Sequence, residues 1–384
     1  MTVDRTAPSA DSPETRALLE LARDLAEGEL RPRVAEHEAR SRFPRGVFHT
    51  LGRAGLLALP YDPAYGGGGQ PYEVYLRVLE ELAAAWLAVG LGVSVHTLAC
   101  FPMHTYGNAG QRERFLPDML GGELLGAYCL SEPQSGSDAA ALTTRAVGDG
   151  DTFVVNGVKA WVTHAGHADF YNLMVRTSDD GPHGVSALLA DASTPGLSPQ
   201  RPERKMGLSA SPTAQVVLTD ARIPADRLVG EPGQGFRIAL SALDSGRLGV
   251  AACAVGLARA ALDHAVAYAG DRRQFGRAIA DFQGVSFMLA DMATQVEAAR
   301  ALYLSAARLR DADQPFTTQA SMAKLFCTDT AMRVTTDAVQ VLGGYGYVED
   351  HPVERWMREA KVLQILEGTN QVQRVVIGRA LTRP

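Results

Sequence analysis

Residues Thr152–His164 read TFVVNGVKAWVTH and residues Thr213–Pro224 read TAQVVLTDARIP. Short runs of Val, Thr and aromatics, punctuated by Gly, Pro, Asp and Ser, predict strands. Asn156-Gly157, set between Val155 and Val158, predicts a two-residue hairpin turn because both turn positions favour positive φ, with Lys159–Thr163 as the returning strand. This pattern extends from about Ala127 to Val229. On the N-terminal side the grammar is helical: Glu14–Arg40 repeats apolar residues at three- and four-residue steps and is interrupted near Pro32. A second helix fits Pro44–Leu57, and the loop AYGGGGQ (Ala64–Gln70) precedes another helix beginning near Tyr72. After Gly235 long helical blocks return at Phe236–Ala269, Phe282–Ala312, Thr317–Leu342 and Pro352–Leu366, followed by a last helix from about Asn370. Helices, then strands, then helices, without βαβ alternation or GxGxxG, predict an α+β chain and exclude a dinucleotide-binding Rossmann unit. The expected domains are an all-helical domain at 1–126, a β domain at 127–235 and a helical bundle at 236–384.

The chain has 384 residues, 46% hydrophobic and 21% charged, within the range of ordinary globular proteins. Its 37 basic and 43 acidic residues give a net charge of −6, which argues against nucleic-acid binding. Cys100, Cys129, Cys253 and Cys327 form no CxxC pair, so neither a disulfide framework nor a bound metal is expected. Met1–Glu14 carries Asp4, Asp11 and Glu14 and lacks an apolar core, so it does not read as a secretory signal and a cytoplasmic location is the default. Leu82–Phe101 is long enough to span a bilayer. It is rich in Ala and Gly, contains Ser94, His96 and Thr97, and has no flanking Lys/Arg cluster, which predicts a buried core helix and no membrane span.

Five segments offer chemistry. Tyr128–Asp138 (YCLSEPQSGSD) presents hydroxyls and backbone donors able to cradle phosphate oxygens, or simply to make a turn. Trp161 and Thr163, two residues apart on a strand, suit stacking and hydrogen bonding to a planar heterocycle, although Trp161 fits a core equally well. Arg272–Gly276 (RRQFG) joins cations to an aromatic, as a pyrophosphate site or a solvated face would. Gln340–Gly346 (QVLGGYG) ends a helix on glycines that form a cap or admit a ligand close to the backbone. Glu367, at the predicted C-terminal end of a helix, stands where the dipole disfavours a carboxylate; it is either exposed at a frayed end or a general base in an apolar pocket.

In this order YCLSEPQSGSD, KAWVTHAG, DRRQFG, QVLGGYGY and ILEGTNQ resemble the motif series of the FAD-dependent acyl-CoA dehydrogenase family, over about Leu18–Leu381. The resemblance implies an N-terminal helical domain, a middle β-barrel-like domain and a C-terminal four-helix bundle. It implies flavin contacts from Tyr128, Leu130, Ser131, Gly136 and Ser137, flanking of the flavin by Trp161 and Thr163, and further FAD contacts from Thr369 and Gln371. It also implies a homotetramer in which Arg272, Gln274, Phe275, Gln283, Gln340, Gly343 and Gly344 reach a second protomer's FAD. Ser137, Asp244, Arg247 and Gly368 match positions beside the thioester substrate. The implied reaction converts acyl-CoA, or an acyl group on a carrier protein, to the trans-2-enoyl thioester. Glu367 removes the α-proton, the β-hydrogen leaves as hydride to FAD N5, and the Glu367 N–H helps to hold the thioester oxygen. Electron-transferring flavoprotein is the implied acceptor, with an oxygen-using oxidase as the alternative. Some branches carry the base one residue before the arginine matching Arg247; Gly246 occupies that place here, so Glu367 is the matched base. The absence of arginine in Leu82–Phe101 favours an uncharged acyl chain. A flavin-containing nucleic-acid-binding relative would need a dense cationic surface, for which only local groups such as Arg201, Arg204 and Lys205 are available.

Overall fold

A computed structural model of the chain describes residues 12–382. Residues 1–11, most of the stretch weighed as a secretory signal, lie outside the described part. The N-terminal helices are α1 (Pro13–Leu25), α2 (Arg31–Ala39), α3 (Arg45–Arg53), α4 (Tyr72–Ala85), α5 (Leu87–Tyr106) and α6 (Ala109–Leu120). The interruption near Pro32 takes the form of a π-helical turn at Ala26–Leu30, which lets Pro32 fall in the first turn of α2, where a missing N–H leaves no bond unmade. Leu82–Phe101 is not one helix: Trp86 is extended, ends α4 and starts α5. Its indole nitrogen donates to Glu38 at 2.8 Å, so the break is fixed by a buried hydrogen bond.

Eight strands follow: β1 (Gly126–Cys129), β2 (Arg145–Asp149), β3 (Thr152–Thr163), β4 (Phe170–Arg176), β5 (Val185–Asp191), β6 (Leu197–Pro199), β7 (Thr213–Pro224) and β8 (Leu228–Val229). They form one sheet in the order β6-β7-β3-β2-β4-β5-β8, with β1 on β4. Val155, Leu173, Leu188 and Val216, from four of these strands, meet in one apolar core, which gives the sheet its barrel-like curl. The expected turn at Asn156-Gly157 is absent. β3 runs through it, and the hairpin turns instead at Gly150-Asp151, between Asp149 and its partner Thr152. Asn156 and Gly157 form a bulge against β7: the Asn156 side chain donates to Asp220 at 3.0 Å and accepts from the Asp220 N–H at 2.8 Å. Gly157 lies against Thr144 so closely that a Cβ would overlap it, so packing explains this glycine.

The C-terminal part contains α7 (Gly235–Asp271), the small hairpin β9 (Arg273–Gln274) and β10 (Arg277–Ala278), then α8 (Gln283–Asp311), α9 (Thr317–Leu342), α10 (Val353–Leu363) and α11 (Asn370–Thr382). Helices α5 and α7 are long and apolar enough to cross a bilayer, but 89% and 67% of their most apolar windows are buried inside the protein. The helical parts share one core, and polar bonds stitch them together. Asp311 of α8 accepts the N–H groups of Tyr72 and Glu73 at 2.7 and 3.0 Å and thereby caps α4. Glu73 is held by Arg308, Glu80 by Arg300 and Tyr303, and Glu81 by Arg259.

One ion pair organises the segment after β1. Lys159, fully buried, donates to Glu132 at 2.7 Å and to the Leu130 carbonyl at 3.2 Å. Glu132 also accepts from the Thr143 and Thr144 N–H groups, the Thr143 hydroxyl and Gln134. Burial pushes the Glu132 carboxyl up, but Lys159 and these donors outweigh it and hold it at about 2. Removing one partner of such a pair strands a buried charge at a cost of about 3–5 kcal/mol. Glu132→Ala is therefore expected to lower the urea midpoint, followed by circular dichroism, by more than the double variant Glu132→Ala/Lys159→Met does.

Candidate active site

At Lys159–Val162 the pairing of β3 with β7 shifts register, and Trp161 adopts a left-handed backbone, φ 60°. The bulge turns the Trp161 ring outward to 65% exposure, so the core alternative for this residue does not hold. Val162 stays buried and Thr163 is half-buried. The strand holds the Tyr128–Asp138 loop directly: the Ala160 N–H donates to the Ser131 carbonyl at 2.9 Å, and Lys159 anchors Leu130 and Glu132. Leu130 is buried, Tyr128 and Ser131 are half-buried, and Gly136 and Ser137 are exposed. An exposed indole beside a loop of hydroxyls and backbone donors fits a planar heterocycle joined to phosphates.

Glu367 is not on a helix. Helix α10 ends at Leu363, and Glu367 and Gly368 form a left-handed turn with φ values of 52° and 90°. A non-glycine residue in this region costs about 1–3 kcal/mol and persists only where its surroundings hold it. Here the Gly368 carbonyl accepts from Lys324 at 3.0 Å and from Gln373 at 2.8 Å. Lys324 also donates to Asn370 at 2.9 Å, and Asn370 donates to Thr328 and Asp329 at 2.9 and 2.7 Å. The helix dipole thus gives no account of Glu367; this network does.

Although Glu367 as a residue is half-buried, both its carboxylate oxygens are shut off from solvent and accept no hydrogen bond among the described residues. Such a group normally finds partners, because leaving it unpaired costs more than a neutral hydrogen bond contributes. Burial pushes its carboxyl up to about 7, with Lys324 and then Arg247 opposing the rise. The carboxylate lies over Gly246 of α7, where a Cβ would overlap Oε2 and contact Leu98. Glu367 and a side chain at position 246 therefore compete for the same space. The Glu367 N–H makes no hydrogen bond among the described residues. Buried Arg247 donates to Asp244 at 2.7 Å, and Asp244 also accepts from Thr317 at 2.7 Å. Asp244 lines a cavity of about 290 Å³ with Pro182, His183, Phe236, Arg237 and Leu240.

The sequence-derived residues divide into two places. Tyr128 links the β-domain loop to the surroundings of Glu367, since its hydroxyl donates to the Ala239 carbonyl of α7 at 3.4 Å and its ionisation, opposed mainly by burial, also feels the Glu367 charge. Thr369 starts α11 by accepting the Val372 N–H at 3.2 Å, and Gln371, two residues on, is exposed. Arg272, Gln274, Gly343 and Gly344 meet elsewhere, around an open cavity of about 670 Å³ that Tyr268 and Tyr345 also line. Phe275, Gln283 and Gln340 are exposed, Phe275 by 94%. Arg247 belongs to α7 and Arg272 directly follows its last residue, so the two are separated by about 37 Å along the helix at 1.5 Å per residue and the two sets do not surround one small group. Sequence reasoning missed Glu132, Lys159, Lys324, Asn370 and Gln373, which shape the site from beneath. The available signal was a lysine on a stripe of small residues of α9, with Ala320, Ala323 and Cys327 around it.

This arrangement has close counterparts. The acyl-CoA dehydrogenase N-terminal, middle and C-terminal domains match residues 12–123, 127–221 and 233–382. An acyl-CoA dehydrogenase of Bacillus subtilis is 43% identical over 94% of this chain and 96% of its own length. The butyryl-CoA dehydrogenase of Megasphaera elsdenii superposes with a TM-score of 0.95 at 41% identity, over 97% of this chain and 99% of that one. A chain solved with the electron transferring flavoprotein of Acidaminococcus fermentans gives a TM-score of 0.96 at 41% identity, over 97% and 99%. With three domains matched in order over nearly its whole length, the chain belongs to the acyl-CoA dehydrogenase family.

Proposed function

We propose that this enzyme removes the α-proton of a short, uncharged acyl-CoA with Glu367 as the base, yielding the trans-2-enoyl thioester. The observation that carries the proposal is the buried Glu367 carboxylate without a hydrogen-bond partner. A base poised near neutrality combines a large ionised fraction with strong proton affinity at working pH. The unpaired Glu367 N–H supplies a donor for the thioester oxygen, where negative charge develops as the α-proton leaves; one such donor is worth about 2.7–4 kcal/mol in comparable sites. FAD, when bound, supplies the two-electron acceptor for the β-hydrogen. The residues that would hold it are Tyr128, Leu130, Ser131, Gly136, Ser137, Trp161, Thr163, Thr369 and Gln371, a reading supported by the outward Trp161 ring.

A short chain is supported by the close approach of α5 to α7 next to the base, where a Cβ at Gly249 would overlap the Ser94 hydroxyl, and by likeness to a butyryl-CoA dehydrogenase. The cavity bounded by Arg237 and Asp244 is suited to the CoA portion, with Arg237 as a charge partner for phosphate. The second cavity, with Arg272, Gln274, Gly343 and Gly344, together with exposed Phe275, Gln283 and Gln340, would complete the FAD site of another copy in a homotetramer. Electron-transferring flavoprotein is the proposed electron acceptor, supported by the likeness to a chain solved with one.

Three outcomes are expected. Anaerobic butyryl-CoA bleaches the bound flavin of the wild type, and Glu367→Gln slows this by about 10²–10⁴-fold while flavin content is unchanged. Because the base must be unprotonated, the wild-type bleaching rate rises with pH and levels off above about 7, read by stopped-flow absorbance. Arg272→Ala lowers the flavin-to-protein ratio after gel filtration, and retention of a full complement by a monomer in light scattering would refute the shared site.

A further inference from the structure

A lysine ammonium buried in a helical core is expensive unless it is paired. Lys324 of α9 is fully buried, yet its hydrogen bonds go to the Gly368 carbonyl and the Asn370 side chain, and it forms no salt bridge among the described residues. Both partners flank the Glu367 turn. Its own helix is the platform for that turn, because Thr328, one turn further on, bonds the same Asn370, while Ser321, one turn before, accepts from Arg247 at 3.4 Å.

We propose that Lys324 is a positioning residue of the reaction: by pinning Gly368 and Asn370 it holds the Glu367 carboxylate over Gly246, and its charge keeps that carboxylate available as a base. The proposal rests on Glu367 being the base. The surroundings support it. Among the groups facing Glu367, Tyr72 comes from α4, Tyr128 from β1, Arg247 and Cys253 from α7 and Lys324 from α9; α5 contributes the apolar Leu98. Among the described residues only Lys324 and Arg247 bring a cation to Glu367. Arg247 is neutralised in part by Asp244 at 2.7 Å, whereas Lys324 has no carboxylate in contact among the described residues, so its charge acts first on Glu367 and, more weakly, on Asp329 of its own helix. Burial lowers Lys324 to about 8, and the Glu367 carboxylate opposes that fall, so the two groups support each other's charged forms.

A purely structural lysine would affect stability and leave the titration of the base where it is. The test compares wild-type, Lys324→Met and Lys324→Arg holoenzymes by anaerobic flavin bleaching with butyryl-CoA across pH. Lys324→Met is expected to move the pH midpoint upward by about 1–3 pH units, the effect of losing a neighbouring opposite charge. At pH 7 this appears as a rate reduced at least about fivefold that recovers as pH rises. Lys324→Arg keeps the charge and is expected to keep the midpoint close to that of wild type while the plateau rate falls, because the longer fork cannot reproduce both hydrogen bonds. Infrared difference spectra against Glu367→Gln locate the carboxyl band, whose titration reads the same midpoint without turnover. If Lys324→Met does not fold, an unchanged plateau rate in Lys324→Arg overturns the positioning role. An unchanged midpoint in folded Lys324→Met, with only a lower melting temperature, overturns the proposal while leaving the base assignment intact; bleaching of Glu367→Gln at the wild-type rate overturns the base assignment itself.

Discussion

The close approach of other elements to α7 is the constraint on which the architecture depends. Gly246, Gly249 and Gly256 present no side chain where Glu367, Ser94 and the Glu80 carbonyl come against the helix. Each glycine costs about 1 kcal/mol of helix stability relative to alanine. The return is that two helices from the N-terminal part and the turn after α10 seat directly on the α7 backbone, and only in that arrangement does the carboxylate have a place to sit. Fold and chemistry thus share one requirement: small residues on a single face of one long helix.

Charge buried inside this packing gives it definition. The Glu132–Lys159 pair fastens the loop after β1 to the bulged strand that carries Trp161. Lys324 fastens the turn that carries Glu367. In both places a lysine reaches from a rigid element to the carbonyls of an irregular segment, which secures backbone groups that regular structure leaves unmade. The irregular segments carry Trp161's neighbouring loop and Glu367, and the regular elements hold them still.

The helix–strand–helix order and the positions of the long helices were legible because periodicity reports which face is buried, and burial along a helix is largely local information. The motif residues were legible as types, while the outward turn of Trp161 depends on a bulge against β7 that its own segment does not announce. What failed depended on partners distant in sequence. Asn156-Gly157 has turn chemistry, but Asp220, 64 residues on, captures the asparagine and Thr144 takes the space over the glycine, so the strand continues. Trp86 breaks a uniformly apolar run because Glu38 waits for its indole. Glu367 leaves the helix because Lys324 and Gln373 hold its neighbour's carbonyl.

The capping of α4 by Asp311 bears on how the protein is made. The first N–H groups of that helix find their acceptor 239 residues later in the chain, and Glu73 and Glu80 find Arg308 and Arg300 only when α8 exists. A ribosome adding about 5–20 residues per second therefore releases the N-terminal helices well before their counterparts emerge. Through that interval α4 and the apolar α5 have no finished surface to rest on, so the nascent chain depends on delayed, long-range closure, and the last third of the protein completes the first.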